Sequence, residues 1–134
     1  MDEIFKISPD KERAEDLLEM SKERIHLIKR IPKDKTYKII EDYYEIIKEL
    51  LTSVMYIDGF KTLSHVKLIE YFSNKYDILT NSQIEIVESM RKIRHGIVYY
   101  GKKISSEFLD NKKEEIDNII KLLIKLVEEK LRKK

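Results

Sequence analysis

The chain has 134 residues, 39% of them charged, with three glycines, two prolines and no cysteine. That length suits one domain with a core of its own, and the missing thiols exclude disulfides and thiolate metal sites. The net charge is +2, but it is unevenly spread: −4 over residues 1–90 and +6 over residues 91–134.

Scarce glycine and proline, with abundant Leu, Ile, Lys and Glu, predict long helices. Dense charge of both signs without cysteine is also a thermophile-like composition. No apolar run approaches the roughly 20 residues that span a bilayer, so no membrane partner is expected. The first residues are charged rather than signal-like, and a cytoplasmic address is expected.

Residues 1–7 read as a lead-in. Ser8-Pro9-Asp10 then reads as a helix start, with a hydroxyl cap, proline at the first helical position and an acid in the first turn. The first helix is expected from Pro9 to about Arg30, with Ala14, Leu17, Leu18, Ile25 and Ile28 on its inner face. Ile31-Pro32 ends it, because a residue before proline avoids the helical region.

Asp34 is the expected cap of the second helix. One stripe runs through Ile40, Tyr43, Ile47, Leu50, Val54 and Ile57. Ile39, Tyr44, Ile46, Leu51 and Met55 widen it, which predicts burial on more than one side. Asp58-Gly59 is the stop, with glycine in the left-handed conformation.

Ser64 caps a shorter helix over His65 to Lys75. Thr80-Asn81-Ser82 offers several caps for the fourth helix, and Ser82 with Glu85 has the spacing of a capping box. Its stripe is Ile86, Met90, Ile93, Ile97 and Tyr100, and Gly101 is the expected stop. The last helix starts between Glu107 and Lys112 and continues almost to Lys134. It carries two apolar stripes: Ile116, Ile120, Leu123 and Val127, and then Ile119, Leu122 and Leu126. Two stripes call for two partners, the chain's own core and a second subunit.

No strand of alternating pattern is seen. The expected fold is all-α, a single domain over residues 1–134. Its expected architecture is an antiparallel up-down bundle of four long helices plus one short helix.

Chemistry-bearing residues crowd into Met90 to Gly101. Arg94 is the first candidate, since a guanidinium is always charged and its fork of donors suits phosphate. The competing role is an ion pair within the bundle. His95 can serve as acid or base near neutrality, or simply sit on a solvated edge. Arg94 and His95 point about 100° apart on a helix, whereas Arg91, His95 and Tyr99 share a face. Tyr99 could hydrogen-bond or stack on a base, or pack at a subunit interface. Tyr100 belongs with the core stripe. Lys102 and Lys103 extend the positive charge. His26 and His65 lie far from these residues in the chain, and the three histidines show no metal-ligand spacing, so no metal or cofactor is expected. No glycine-rich phosphate loop or nucleophile elbow is present.

Three blocks resemble the HEPN domain family, small helical domains named for nucleotide binding in higher eukaryotes and prokaryotes. The first is Tyr44-Glu45 followed by a run ending Val54-Met55-Tyr56. The second is Asp58-Gly59-Phe60-Lys61, Ser64-His65 and the turn from Ile69 to Phe72. The third opens with Arg94-His95. Together they span most of residues 37–127, like a small single-domain archaeal or bacterial member.

The family motif is an arginine, four to six residues, then a histidine. Arg94 matches the arginine and His95 the polar residue that follows it. The histidine would fall at residues 99–101, which are Tyr99, Tyr100 and Gly101, so the motif is degenerate at its acid/base position. His65 matches a frequent family histidine, for which a structural role near the start of the third helix is expected.

The resemblance implies a homodimer that brings two Arg94 regions together. It implies a non-catalytic module that binds RNA or nucleotide through Arg91, Arg94, Lys102 and Lys103, or docks a small nucleotidyltransferase, in a toxin–antitoxin-like or defence setting. The alternative it implies is a metal-independent endoribonuclease, with Arg94 for charge and His95 or Tyr99 for proton transfer.

Overall fold

A computed structural model describes residues 3–133. In chain order the elements are β1 (Ile4–Lys6), α1 (Lys11–Ile28), α2 (Thr36–Asp58), β2 (Phe60–Thr62), α3 (His65–Lys75), α4 (Asn81–Tyr100) and α5 (Glu107–Arg132). The described residues are mostly helical, with five helices and one small two-stranded sheet.

The organising element is α2, which packs against all four other helices and against β2. Its sequence explains this. Apolar residues come in adjacent pairs almost every turn: Ile39-Ile40, Tyr43-Tyr44, Ile46-Ile47, Leu50-Leu51 and Val54-Met55. All of them are buried. Such pairs turn a single stripe into a wide belt, so the helix must be covered on several sides.

Small residues let α1 come close to α2. Ala14 and Ser21 on α1 and Ser53 on α2 are fully buried, and the Ser53 hydroxyl donates to the Ala14 carbonyl at 3.1 Å. Glu49 of α2 is buried in the same interface. Its carboxylate accepts from Arg24 Nε at 3.1 Å and Ser21 Oγ at 3.4 Å. Burial raises the Glu49 pKa, and the Arg24 contact only partly offsets it.

The two-stranded sheet is a departure from the all-helical expectation. β1 and β2 pair antiparallel, Ile4 with Thr62, Phe5 with Lys61 and Lys6 with Phe60. Three-residue strands are too short to show an alternating pattern. The same pairing moves the start of α1. Ile7 N–H donates to Gly59 O at 2.9 Å and Asp10 N–H to Tyr56 O at 3.0 Å, which draws Ser8-Pro9 along the end of α2. The cap is therefore Asp10, whose carboxylate accepts from Arg13 N–H, and not Ser8.

Two other caps differ from expectation. Lys35, not Asp34, precedes α2, with no side-chain cap. The capping box of α4 is Thr80 with Gln83 in place of Ser82 with Glu85: Gln83 N–H donates to Thr80 Oγ1 at 3.1 Å, and Thr80 N–H to Gln83 Oε1 at 2.9 Å. Both glycine stops are left-handed, Gly59 at φ +89° and Gly101 at φ +59°.

Both apolar stripes of α5 serve the chain's own core. Ile119 and Leu126 are buried beside Ile116, Leu123 and Val127, and only Leu122 of the second stripe reaches the surface, at 36% exposure. The second stripe is therefore not a free face awaiting a subunit.

At the far end of α2, Asp58 ties three elements together. Its carboxylate accepts from Tyr71 Oη of α3 at 2.7 Å and from Tyr76 Oη at 2.7 and 2.9 Å, and it pairs with Lys130 Nζ of α5 at 2.8 Å. Burial works against its ionised form. The hydrogen bonds from Lys130, Tyr76 and Tyr71 outweigh that and hold its pKa below the usual carboxylate range. This clasp anchors α3, whose first residue enters the site described next.

Candidate functional site

Arg94 lies in the second half of α4, facing the middle of α2. Its guanidinium carbon stands 5.8 Å from the ring centroid of Tyr44. Tyr44 is 1% exposed. Its hydroxyl shares a 3.0 Å hydrogen bond with Nδ1 of His65, and the two rings stack with centroids 5.7 Å apart. Three elements thus meet: Tyr44 from α2, His65 from the start of α3 and Arg94 from α4. Ser64 holds His65 at the first position of α3, its hydroxyl accepting from Lys67 N–H at 3.1 Å.

The surrounding charges pair off, except one. Arg91 forks onto Glu88, with Nε to Oε1 at 3.3 Å and the terminal nitrogen to Oε2 at 3.0 Å. Lys48 pairs with Glu45 at 2.6 Å. Arg94 makes no ion pair and no side-chain hydrogen bond among the described residues, and only the Tyr44 ring lies against it. The site therefore keeps one uncompensated guanidinium, partly buried, with its donors free.

Its neighbours are tuned toward their neutral forms. Burial lowers the His65 pKa, and the positive charges of Lys48, Arg94 and Arg91 lower it further, with Glu45 opposing them. The imidazole is neutral at neutral pH, so one ring nitrogen carries a lone pair. Burial likewise raises the Tyr44 pKa well beyond the usual phenol range, and Tyr44 keeps its proton. The cluster can hold an anionic oxygen on Arg94 beside a neutral donor–acceptor group. Among the described residues no group of His, Asp or Glu has the arrangement to hold a metal ion.

The remaining sequence candidates lie farther along α4. His95 and Tyr99 do share a face, with ring centroids 4.7 Å apart, and Tyr100 closes on the same imidazole at 5.8 Å. Tyr99 is 65% exposed and Tyr100 is 70% exposed. Tyr100 thus departs from its expected place in the core. Lys102 and Lys103 are exposed just past the Gly101 stop. The Lys102 stem folds back over Gly96, where an added Cβ would come within 3.2 Å of Lys102 Cδ. Both lysines border an open groove of about 630 Å³ that Tyr37, Ile97, Val98 and Ile104 also line.

The sequence points to Arg94 at the centre, with His95 or Tyr99 as its partner. The structure sets Tyr44 against Arg94, with His65 hydrogen-bonded to Tyr44. The signal available in the sequence was the Tyr44 and Ser64-His65 blocks, but no spacing along the chain shows that they meet Arg94. Among the described residues no helix is long and apolar enough to cross a membrane. Comparison with protein-family models, curated proteins and solved structures finds no match in any of the three.

Proposed function

We propose that this chain is a degenerate HEPN-like helical domain that binds RNA or nucleotide without cleaving it, with Arg94 as the phosphate-holding residue. One observation carries the reading: Arg94 is a partly buried guanidinium that no carboxylate among the described residues neutralises, while Arg91 and Lys48 are both paired. A guanidinium in this state favours a planar, doubly accepting anion such as a phosphate. Lys102 and Lys103 add positive charge just past the end of α4, whereas Arg91 is held by Glu88. The absence of histidine at residues 99–101 argues for binding over cleavage.

The antiparallel bundle rests on the helix pattern and the cytoplasmic address on the charged, non-signal-like first residues. The homodimer, the docking of a small nucleotidyltransferase and a toxin–antitoxin-like or defence setting rest on the resemblance. Light scattering at twice 16.1 kDa would support the homodimer. The binding reading is tested by anisotropy of a fluorescent single-stranded RNA. Binding should weaken as salt rises, and Arg94→Ala should weaken it at least about tenfold, in keeping with the loss of a charged hydrogen-bonding group.

One observation favours the endoribonuclease alternative, with a changed cast. His65 is hydrogen-bonded to Tyr44, whose ring lies against Arg94, whereas His95 stacks on Tyr99 and Tyr100. In that reading His65 takes the proton from the 2′-hydroxyl as its oxygen attacks phosphorus, and Arg94 stabilises charge on the phosphorane. The P–O5′ bond then breaks to leave a 2′,3′-cyclic phosphate and a 5′-hydroxyl that takes up a proton from water. Cleavage in the presence of chelator that His65→Asn abolishes and His95→Asn spares would establish it.

A further inference from the structure

From Ser89 to Ser106 the chain has no acidic residue, but it carries Arg91, Lys92, Arg94, Lys102 and Lys103. Glu88 neutralises only Arg91. Within this stretch three rings gather at the end of α4, with His95 against Tyr99 and Tyr100. The two tyrosines are among the most exposed large side chains of the described residues, and Val98 beside them is 46% exposed. Tyrosines this open add little to the chain's own packing. Tyr99 and Tyr100 lie about 8 Å along the helix axis from Arg94, with Lys102 and Lys103 just beyond.

We infer that His95, Tyr99 and Tyr100 form a stacking platform for the unpaired bases of a single-stranded nucleic acid, with Lys102 and Lys103 tracking its backbone. The inference rests on the reading of Arg94 as a phosphate-binding residue and extends that site along α4. Cations alone would take any polyanion. Exposed aromatic rings set among cations select one whose bases are free to stack, because a duplex keeps its base faces covered. Direct contact between two copies of this strip would set Lys92, Arg94, Lys102 and Lys103 against their own copies, so in a homodimer the strip is a surface for an anionic ligand and not a packed seam.

The test is anisotropy with a fluorescein-labelled RNA 12-mer, the matching DNA 12-mer and their duplexes, each titrated with the full chain. Tyr99→Ala and Tyr100→Ala should each weaken single-strand binding by about 5- to 100-fold, the range for loss of one stacked base. Tyr99→Phe and Tyr100→Phe should retain it, and Lys102→Ala with Lys103→Ala should flatten the salt dependence by about one counterion each. Both sites are exposed, and circular dichroism checks that the variants fold. RNA and DNA single strands bound alike would place the selectivity in base stacking, and RNA bound more tightly would add a 2′-hydroxyl contact to it. Duplex bound as well as single strand would overturn the platform. If the alanine variants bind normally while Arg94→Ala does not, the platform fails and the Arg94 reading stands. If no nucleic acid binds the wild type, both fail. If the tyrosine variants change only the oligomeric state, the surface belongs to a second copy.

Discussion

Replacing Asp58 with alanine removes the acceptor that holds α2, α3 and α5 together. The magnitude follows from what is left behind. Tyr71 and Tyr76 each lose a short bond to a charged oxygen, and hydrogen bonds to charged groups contribute about 1.5–3 kcal/mol. Lys130 Nζ loses a 2.8 Å partner, and its side chain is only 18% exposed. Its long stem lets the ammonium swing toward water, so less is lost than the 3–5 kcal/mol typical of a fully buried pair. Lys75 lies at 3.5 Å and is half exposed, so it adds little.

The expected loss is about 3–5 kcal/mol, or about 10–20 °C in Tm for a domain of this size. Urea unfolding followed by far-ultraviolet circular dichroism measures it, with an unchanged slope showing that compactness is preserved. The pH dependence should change as well. The folded-state pKa of Asp58 is depressed, so its contribution is present above the unfolded value of 3.8 and is lost as pH falls through the lower folded value. In Asp58→Asn that acid-side loss should be smaller. A cost below about 1 kcal/mol for Asp58→Ala would refute the claim that this carboxylate clasps the three elements.

Glu49 should behave with the opposite sign. Its folded pKa is raised, so the folded state holds its proton more tightly, and its contribution weakens as pH rises from the unfolded value of 4.5 through the folded one. Glu49→Gln keeps an acceptor for Arg24 and Ser21 and should remove this slope, leaving stability at neutral pH within about 1 kcal/mol of wild type. Gly59→Ala meets both a positive φ and the Ile7 carbonyl at 3.1 Å, whereas Gly101→Ala meets only the positive φ. Calorimetry should show a cost of about 2–3 kcal/mol for Gly59→Ala against about 1 kcal/mol for Gly101→Ala. Equal costs would contradict the close approach of β1 to the end of α2.

Local signals carried the helices well. The bounds His65–Lys75 and the stops at Gly59 and Gly101 depend on caps and glycine conformations that neighbouring residues determine, and the structure has them as read. The start of α1 was illegible because it depends on Asp10 N–H reaching Tyr56 O, a bond across 46 residues of chain. Tyr100 shows the limit of periodicity. The spacing from Ile86 onward selects the face that buries Ile86 and Met90, but it cannot show that Tyr100 at the helix end stays 70% exposed. The site was half legible. The charge imbalance of the last third and the position of Arg94 are visible in the sequence, but whether Arg94 is ion-paired is not. Its contact with Tyr44 and the nearness of His65 arise from three elements folding together, and no interval between positions 44, 65 and 94 encodes that.

Arg94 is the residue on which the proposed phosphate binding depends. The most direct measurement is anisotropy of a labelled single-stranded RNA with wild type and Arg94→Ala, in chelator, with the same samples run on a denaturing gel. Salt-sensitive binding by the wild type, at least about tenfold weaker in the variant, with RNA intact in both lanes, is the predicted result. Equal affinity in the two proteins would contradict the assignment of Arg94 as the phosphate-binding residue, and cleavage that disappears with Arg94 would replace the binding module by a ribonuclease.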